Sequence, residues 1–401
     1  MSILWIYDKP IDPQAGGTER ATHLVMTGLA ARGYPTAGFL AFRQDHPRAV
    51  FDPNGAPVED LYAYLQAHEV ETVVNQIGFS KWLLEEFLAR GGERWKEEGG
   101  KVITCLHFGP PMFLETVWAL TRDWREKSLR RKVKRLGRIA LLPVSRRNVT
   151  NIRKQAYAYL IEKSDVFVLL SEMHRLELEA MCPVRHPERV RVIPNPNTFA
   201  AALPAERVKD KTKTVLIVSR LEDTQKRVSL ALRAWGLVMR TGEFGDWNLQ
   251  VVGDGEHAQD YWNLVARKRI PNVAFIGRTD PEPYYESASL YLHTAIHEGW
   301  GLTITEAMQK GTVPIVMNSS SVFREIIDDG RTGILTNFGN VEAFAAQIAN
   351  LMRDRALRES MALAAIEASQ QHDLDRVVEK FFEVLKTTAD TASEPCPSKF
   401  R

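Results

Sequence analysis

Two glutamates stand eight residues apart in HEGWGLTITEAMQKG (297–311), one on each side of a Gly299-Trp300-Gly301 turn. The apolar run LYLHTA (290–295) precedes them, and a stretch of helical period follows from about Thr303 to Gly311. Glycines in such a turn let the backbone approach a ligand closely. A helix start offers free N–H groups that suit a phosphate, and a carboxylate on either side accepts hydrogen bonds from sugar hydroxyls. Glu306 has a second explanation, because Thr303-x-x-Glu306 fits a capping box with Thr303 as the cap. Glu298 has no such local role, and an acidic residue in an apolar strand-end turn needs a partner.

Other candidates also follow apolar runs. In VSRLEDTQKR (218–227), Arg220 and Lys226 flank a turn and can grip a diphosphate, the arginine through a planar fork and the lysine as a point charge; the plainer alternative is an exposed basic turn. In PQAGGTER (13–20), Gly16 and Gly17 open a helix, but the spacing is not G-x-G-x-x-G, which disfavours a nicotinamide enzyme. His107 ends the run KVITCLH ahead of FGPP. A lone histidine is usually structural; its place at the carboxyl end of a strand gives it weight.

The elements that position these residues are short β-branched runs alternating with helical stretches. Strands are expected at 3–7, 36–42, 71–77, 101–107 and 165–170, and again at 214–221, 248–253, 272–277, 290–295 and 312–317. Near-continuous apolar strands separated by helices imply parallel sheets covered on both faces. Two such series imply an α/β protein of two doubly wound, Rossmann-like domains, with ligands beyond the carboxyl ends of the strands. The polar stretch 199–213 suggests a first domain at 1–205 and a second at 206–373. The remainder, 374–401, reads as an amphipathic helix packing back on the first domain, followed by a tail.

Together these stretches resemble retaining glycosyltransferase family 4, whose Glu-x7-Glu signature is matched by EGWGLTITEAMQKGTVPIV at Glu298 and Glu306. The resemblance continues through SRLEDTQKR, VVGDGEH, VAFIGRTDPEPYYESASLYL and GGTER, covering most of residues 210–370 and, more loosely, the first domain. It implies the GT-B fold, two such domains facing a cleft, and metal-independent retaining transfer of a hexosyl group from a nucleotide sugar to a glycan or lipid-linked acceptor. A UDP-sugar is favoured, with GDP-mannose as the other choice, in cell-surface polysaccharide or lipopolysaccharide biosynthesis. By the same resemblance Glu298 binds hydroxyls of the transferred sugar, Glu306 the ribose, and Arg220 with Lys226 the diphosphate. The backbone around Arg278 contacts the base and the Leu302–Thr303 amides the distal phosphate. Gly16 and Gly17 form the facing loop near phosphates and acceptor, and His107 lines the sugar pocket. Two departures bear on the phosphate grip: Ser219 stands where the family often has glycine, and the Arg220-to-Lys226 spacing is one residue longer than the commonest form.

No cofactor beyond the donor substrate is expected, and no metal; the DLD at 373–375 reads as a helix start. The rivals are a GT-B sugar epimerase, which needs no acceptor, and a silent sugar-nucleotide-binding module, which has no need of the two cations and two glutamates. Three cysteines without metal-ligand spacing, no signal-like N-terminus and no apolar run of membrane-spanning length point to the cytoplasm. The formal charge of +2 hides an imbalance: residues 122–154 carry thirteen Lys or Arg against Asp123 and Glu126, a local +11 against −9 for the rest. Leu129, Val133, Leu136 and Ala140 form an apolar stripe there, with Trp118 and Trp124 just upstream. Residues 122–140 thus suit an anionic membrane surface, which makes the protein peripheral on its cytoplasmic face. The alternative is a domain helix with a solvated basic face; no nucleic-acid-binding motif accompanies the charge.

Overall fold

The computed structural model describes residues 2–14, 16–42, 50–52, 54–112 and 142–390. The basic segment 122–140, its two tryptophans and the tail after Asp390 lie outside the described residues. The described residues divide into two compact units: one holds those up to Pro196 together with the helix Leu374–Asp390, the other holds Asn197–Asp373.

The first unit is built on strands β1 (Ser2–Tyr7), β2 (Thr36–Phe42), β3 (Val50–Phe51), β4 (Val70–Asn75), β5 (Lys101–Leu106), β6 (Val166–Leu169) and β7 (Val190–Val192). Their order is β3-β2-β1-β4-β5-β6-β7, parallel throughout except for the β2–β3 pair at the edge. The second unit has β8 (Thr212–Val218), β9 (Asn248–Val252), β10 (Val273–Gly277), β11 (Ala288–His293), β12 (Val313–Asn318) and β13 (Ile334–Asn337), ordered β10-β9-β8-β11-β12-β13. Every pair there is parallel. Helices cover both faces, so a central strand such as β11 is buried at all six positions, and its sequence therefore lacks alternation. In each sheet the strand order reverses once, between β1 and β4 and between β8 and β11. At such switch points the loops beyond the strands splay apart and leave a crevice.

Residues 199–213 are not a break. Leu203 and Val208 are buried in the core of the second unit, and Leu203 N donates to Gln309 O at 3.0 Å. The boundary therefore falls at Pro196, nine residues before the expected one, because two apolar side chains anchor a stretch whose composition is polar.

In the first unit, Val377, Val378, Phe381, Val384 and Leu385 of the helix Leu374–Asp390 join the core formed by Trp5, Val25 and Leu29. Each such side chain contributes about 1.5–3 kcal/mol on burial, an upper figure since denatured chains are partly compact. Arg32, just past the helix Gly17–Ala31, bonds Glu379 at 2.9 Å and Asp375 at 3.2 Å. Gly28 allows the two helices to meet: a Cβ there would lie 2.6 Å from Val378 Cγ2. Gly28→Val should thus cost about 1–3 kcal/mol by overpacking. Hydrogen exchange checks it: β1 and β5 amides should exchange faster, with β8 and β11 unchanged.

Candidate functional site

The switch point of the second unit carries three of the expected residues. Arg220 and Lys226 lie in the loop after β8, and Glu298 in the loop after β11. Backbone and side-chain bonds join the two loops: Ile296 N donates to Gln225 O (2.8 Å), and Thr294 Oγ1 to the carbonyls of Lys226 (3.1 Å) and Arg227 (3.0 Å). The Gln225 amide bridges as well, donating to His297 O at 3.1 Å and accepting from Arg220 Nη2 at 3.1 Å. Across this joint Lys226 Nζ donates to Glu298 Oε1 at 2.5 Å. His293 Nε2, at the end of β11, is 3.6 Å from the same oxygen.

Burial alone would raise the Glu298 carboxyl, but Lys226, His293 once it is protonated, and Arg220 outweigh it and hold the group below the usual carboxylate range. Glu298 is therefore an anion at neutral pH. Burial also pushes the His293 imidazole down to about 4, against the pull of Glu298, so the histidine is neutral.

Close approach of the next loop fixes the turn after β8. Gly253, after β9, has φ +134°, and a Cβ there would lie 1.9 Å from Ser219 O. Asp223, buried in the β8 loop, accepts from Ser229 N (3.2 Å), Ser229 Oγ (2.9 Å) and Tyr261 OH (3.0 Å). It thereby satisfies the start of the helix Val228–Met239, whose cap residue Arg227 is left-handed and makes no side-chain cap. Arg278 is exposed just beyond β10, next to Gly277, whose carbonyl accepts from Gly253 N at 2.8 Å.

The helix Leu302–Gln309 corrects the capping-box reading. Its cap is Gly301, at φ +94°, and no side chain caps it. The left-handed glycine starts the helix earlier than the Thr303 motif requires, so Thr303 is its second residue and Glu306 faces inward. Thr303 Oγ1 accepts from Tyr291 OH at 2.7 Å. Glu306 is 1% exposed and accepts from Thr198 Oγ1 at 2.7 Å and from Tyr285 OH at 3.1 Å. Its carboxylate is already a receptor for hydroxyl groups. Leu302 and Thr303, partly exposed, supply the first-turn amides, which have no intrahelical acceptor.

In the first unit, Gly16 caps the helix Gly17–Ala31 with extended backbone. The Glu19 carboxylate lies against it, since a Cβ on Gly16 would be 2.7 Å from Glu19 Oε2, and pairs with Lys9 at 2.5 Å. This helix start thus holds its own anion, unlike that at Gly301. His107, after β5, places Nε2 2.6 Å from Gln76 Oε1, and burial lowers its pKa to about 4 despite the nearby Glu19.

Among the described residues, Glu222, Glu256 and His257 form one set of possible metal ligands, with donor atoms within 4.8 Å of one another. Glu222 is also engaged by its own turn, accepting from Thr224 N (2.6 Å) and Gln225 N (3.0 Å). In the DLD stretch, Asp373 accepts from Asn197 and Asp375 pairs with Arg32.

Residues 200–368 match the family model of the glycosyl transferases group 1. An uncharacterized glycosyltransferase of Haemophilus influenzae is 30% identical over 196 residues, 48% of this chain and 54% of that protein. A phosphatidyl-myo-inositol mannosyltransferase of Mycobacterium leprae is 31% identical over 186 residues, 45% of this chain and 48% of that protein. The matched region spans about half the length of these curated relatives. The structure of Anabaena HepE in complex with UDP and glucose aligns over 96% of this chain and 100% of that one, with TM-score 0.66 at 17% identity. The chain has the GT-B fold. Arg220, Lys226, Glu298 and Glu306 all lie within the matched group 1 region of this GT-B chain, whereas Gly16, Gly17 and His107 lie outside it.

The buried histidine ties stability to pH. The unfolded chain binds a proton at its ordinary pKa near 6.5 that His293 refuses until about pH 4. Stability should therefore fall as pH drops through this window, by at most about 1.4 kcal/mol per pH unit from this residue. Urea unfolding from pH 7 to 5 should show a shallower dependence for His293→Gln; an unchanged slope would mean that His293 takes up its proton while folded.

Proposed function

We propose that this protein is a retaining glycosyltransferase that moves a hexosyl group from a nucleotide sugar to a glycan or lipid-linked acceptor in cell-surface polysaccharide or lipopolysaccharide synthesis. The observation that carries this reading is the Lys226–Glu298 pair, with Arg220 beside it and the uncapped start of the helix Leu302–Gln309 following the same turn. A diphosphate entering here meets two cations and oriented backbone dipoles. Lys226 then turns from Glu298 to the phosphate, and the freed carboxylate accepts from hydroxyls of the transferred sugar. Glu306, already bonded to two hydroxyls, takes those of the ribose, and the backbone at Arg278 lies along the base.

As the anomeric C–O bond to the diphosphate breaks, negative charge grows on the leaving oxygen, where preorganised donors act most strongly. The acceptor oxygen bonds to the same face of the anomeric carbon and its proton passes to the departing phosphate, which retains configuration. Charge stabilisation by Arg220, Lys226 and the helix amides makes a metal unnecessary. A UDP-sugar is favoured because HepE was crystallised with UDP and glucose; GDP-mannose is the other candidate. A lipid-linked acceptor accords with the mannosyltransferase relative that acts on phosphatidyl-myo-inositol. Residues 122–140 would hold the enzyme at the anionic cytoplasmic face of the membrane.

Assay of a nucleotide-sugar panel with and without membrane extract tests the reading. Product should form only with acceptor present, whereas conversion of donor alone would indicate an epimerase. Arg220→Ala and Lys226→Ala should each lower kcat/KM on the order of 100- to 1,000-fold. Activity should survive EDTA; loss with rescue by a divalent ion would move the charge-stabilising role to a metal.

A further inference from the structure

One buried side chain of the first unit has no part in the mechanism above. Gln76 lies just past the end of β4, 3% exposed, in a position where a polar side chain must find partners. Its carbonyl oxygen accepts from Thr22 Oγ1 at 2.9 Å and lies 2.6 Å from His107 Nε2. A carbonyl oxygen only accepts, so the proton of a neutral imidazole must sit on Nε2, leaving Nδ1 as an acceptor. The Thr22 hydroxyl, on the helix Gly17–Ala31, donates to the same oxygen and holds the amide against that helix. The opposite end, Gln76 Nε2, is near the Cys105 thiol and has no hydrogen-bond partner among the described residues. His107 Nδ1 is likewise buried without a partner among them, and both residues line one small cavity of about 20 Å³ with Trp5, Thr22 and Asn195.

We propose that Gln76 is the positioning residue of His107, fixing the plane of its ring and its Nε2–H tautomer through the Thr22–Gln76–His107 chain. The proposal rests on the glycosyltransfer reading for its consequence, which is that His107 serves that reaction as a neutral hydrogen-bonding ring and not as a cation. The charged group felt by the ring is Glu19, on the helix Gly17–Ala31, which favours protonation; burial outweighs it. Replacing the amide by a carboxylate adds a second anion in direct contact and should reverse that balance.

The test is histidine-selective ¹⁵N NMR, with the His107 signals assigned by their loss in His107→Asn. Wild-type protein should show His107 as the Nε2–H tautomer, neutral at pH 6. In Gln76→Glu the same ring should be doubly protonated at pH 6, and turnover should gain an acid limb, falling about 10-fold per pH unit below the new pKa. Gln76→Leu removes the acceptor and should yield a mixture of tautomers with lower kcat and unchanged UDP affinity. An Nδ1–H tautomer in wild type, titration near 6.5, or a Gln76→Glu ring still neutral at pH 6 would each overturn the proposal. These spectra need no substrate. Correct spectra with no transferase activity would therefore sink the functional reading while leaving the role of Gln76 in place.

Discussion

The site in the second unit depends on one ion pair, Lys226 with Glu298, formed between loops that belong to different strands. Both side chains are largely withdrawn from water, with 21% and 13% of their area exposed. A pair in such a setting contributes little net stability, because the loss of hydration offsets the attraction. What it does is hold an ammonium and a carboxylate in place at the switch point, largely withdrawn from water. The backbone bonds from Ile296 and Thr294 to the β8 loop bring the two residues together before any ligand arrives. Positioning of this kind lets electrostatic stabilisation act without further reorganisation.

From this pair the polar network runs inward. His293 approaches Glu298, Tyr291 OH meets His293 Nδ1 at 3.1 Å and donates to Thr303, and Tyr285 OH donates to Glu306. The two glutamates of the turn are thus unlike in setting. One is an anion against a cation; the other is a buried acceptor of hydroxyl groups. The helix starts of the two units differ in a parallel way. Neither start is capped by a side-chain hydrogen bond, but in the first the Glu19 carboxylate, paired with Lys9, lies beside Gly16. On electrostatic grounds the second is the better host for a phosphate and the first for a neutral hydroxyl.

All ten expected strands exist, because burial on both sheet faces writes itself as unbroken apolar runs. The strands not foreseen, β3, β7 and β13, have two, three and four residues and lie at sheet edges, too short for any period to emerge. Arg220, Lys226 and Glu298 were legible since each follows a strand, but their contact was not, as 72 residues separate the lysine from the glutamate. Glu306 shows the opposite limit: Thr303-x-x-Glu306 is a sound local motif, overridden when a left-handed Gly301 begins the helix early. The contacts of Asp223 with Ser229 and Tyr261, and of Gln76 with Thr22 and His107, follow no local sequence motif. Gln76 falls inside the expected strand 71–77, whereas β4 ends at Asn75, and a polar residue closing an apolar run is the available signal.

The central claim is that Glu298 holds Lys226 until a diphosphate takes its place, after which the carboxylate serves the sugar. Calorimetric binding of UDP to wild type and Glu298→Gln, read beside turnover, tests this most directly. With the competing carboxylate neutralised, UDP should bind at least as tightly as to wild type, while turnover falls at least 100-fold, in line with loss of a preorganised contact. UDP affinity and turnover falling together by the same factor would contradict the exchange and make Glu298 a structural support for the phosphate loop.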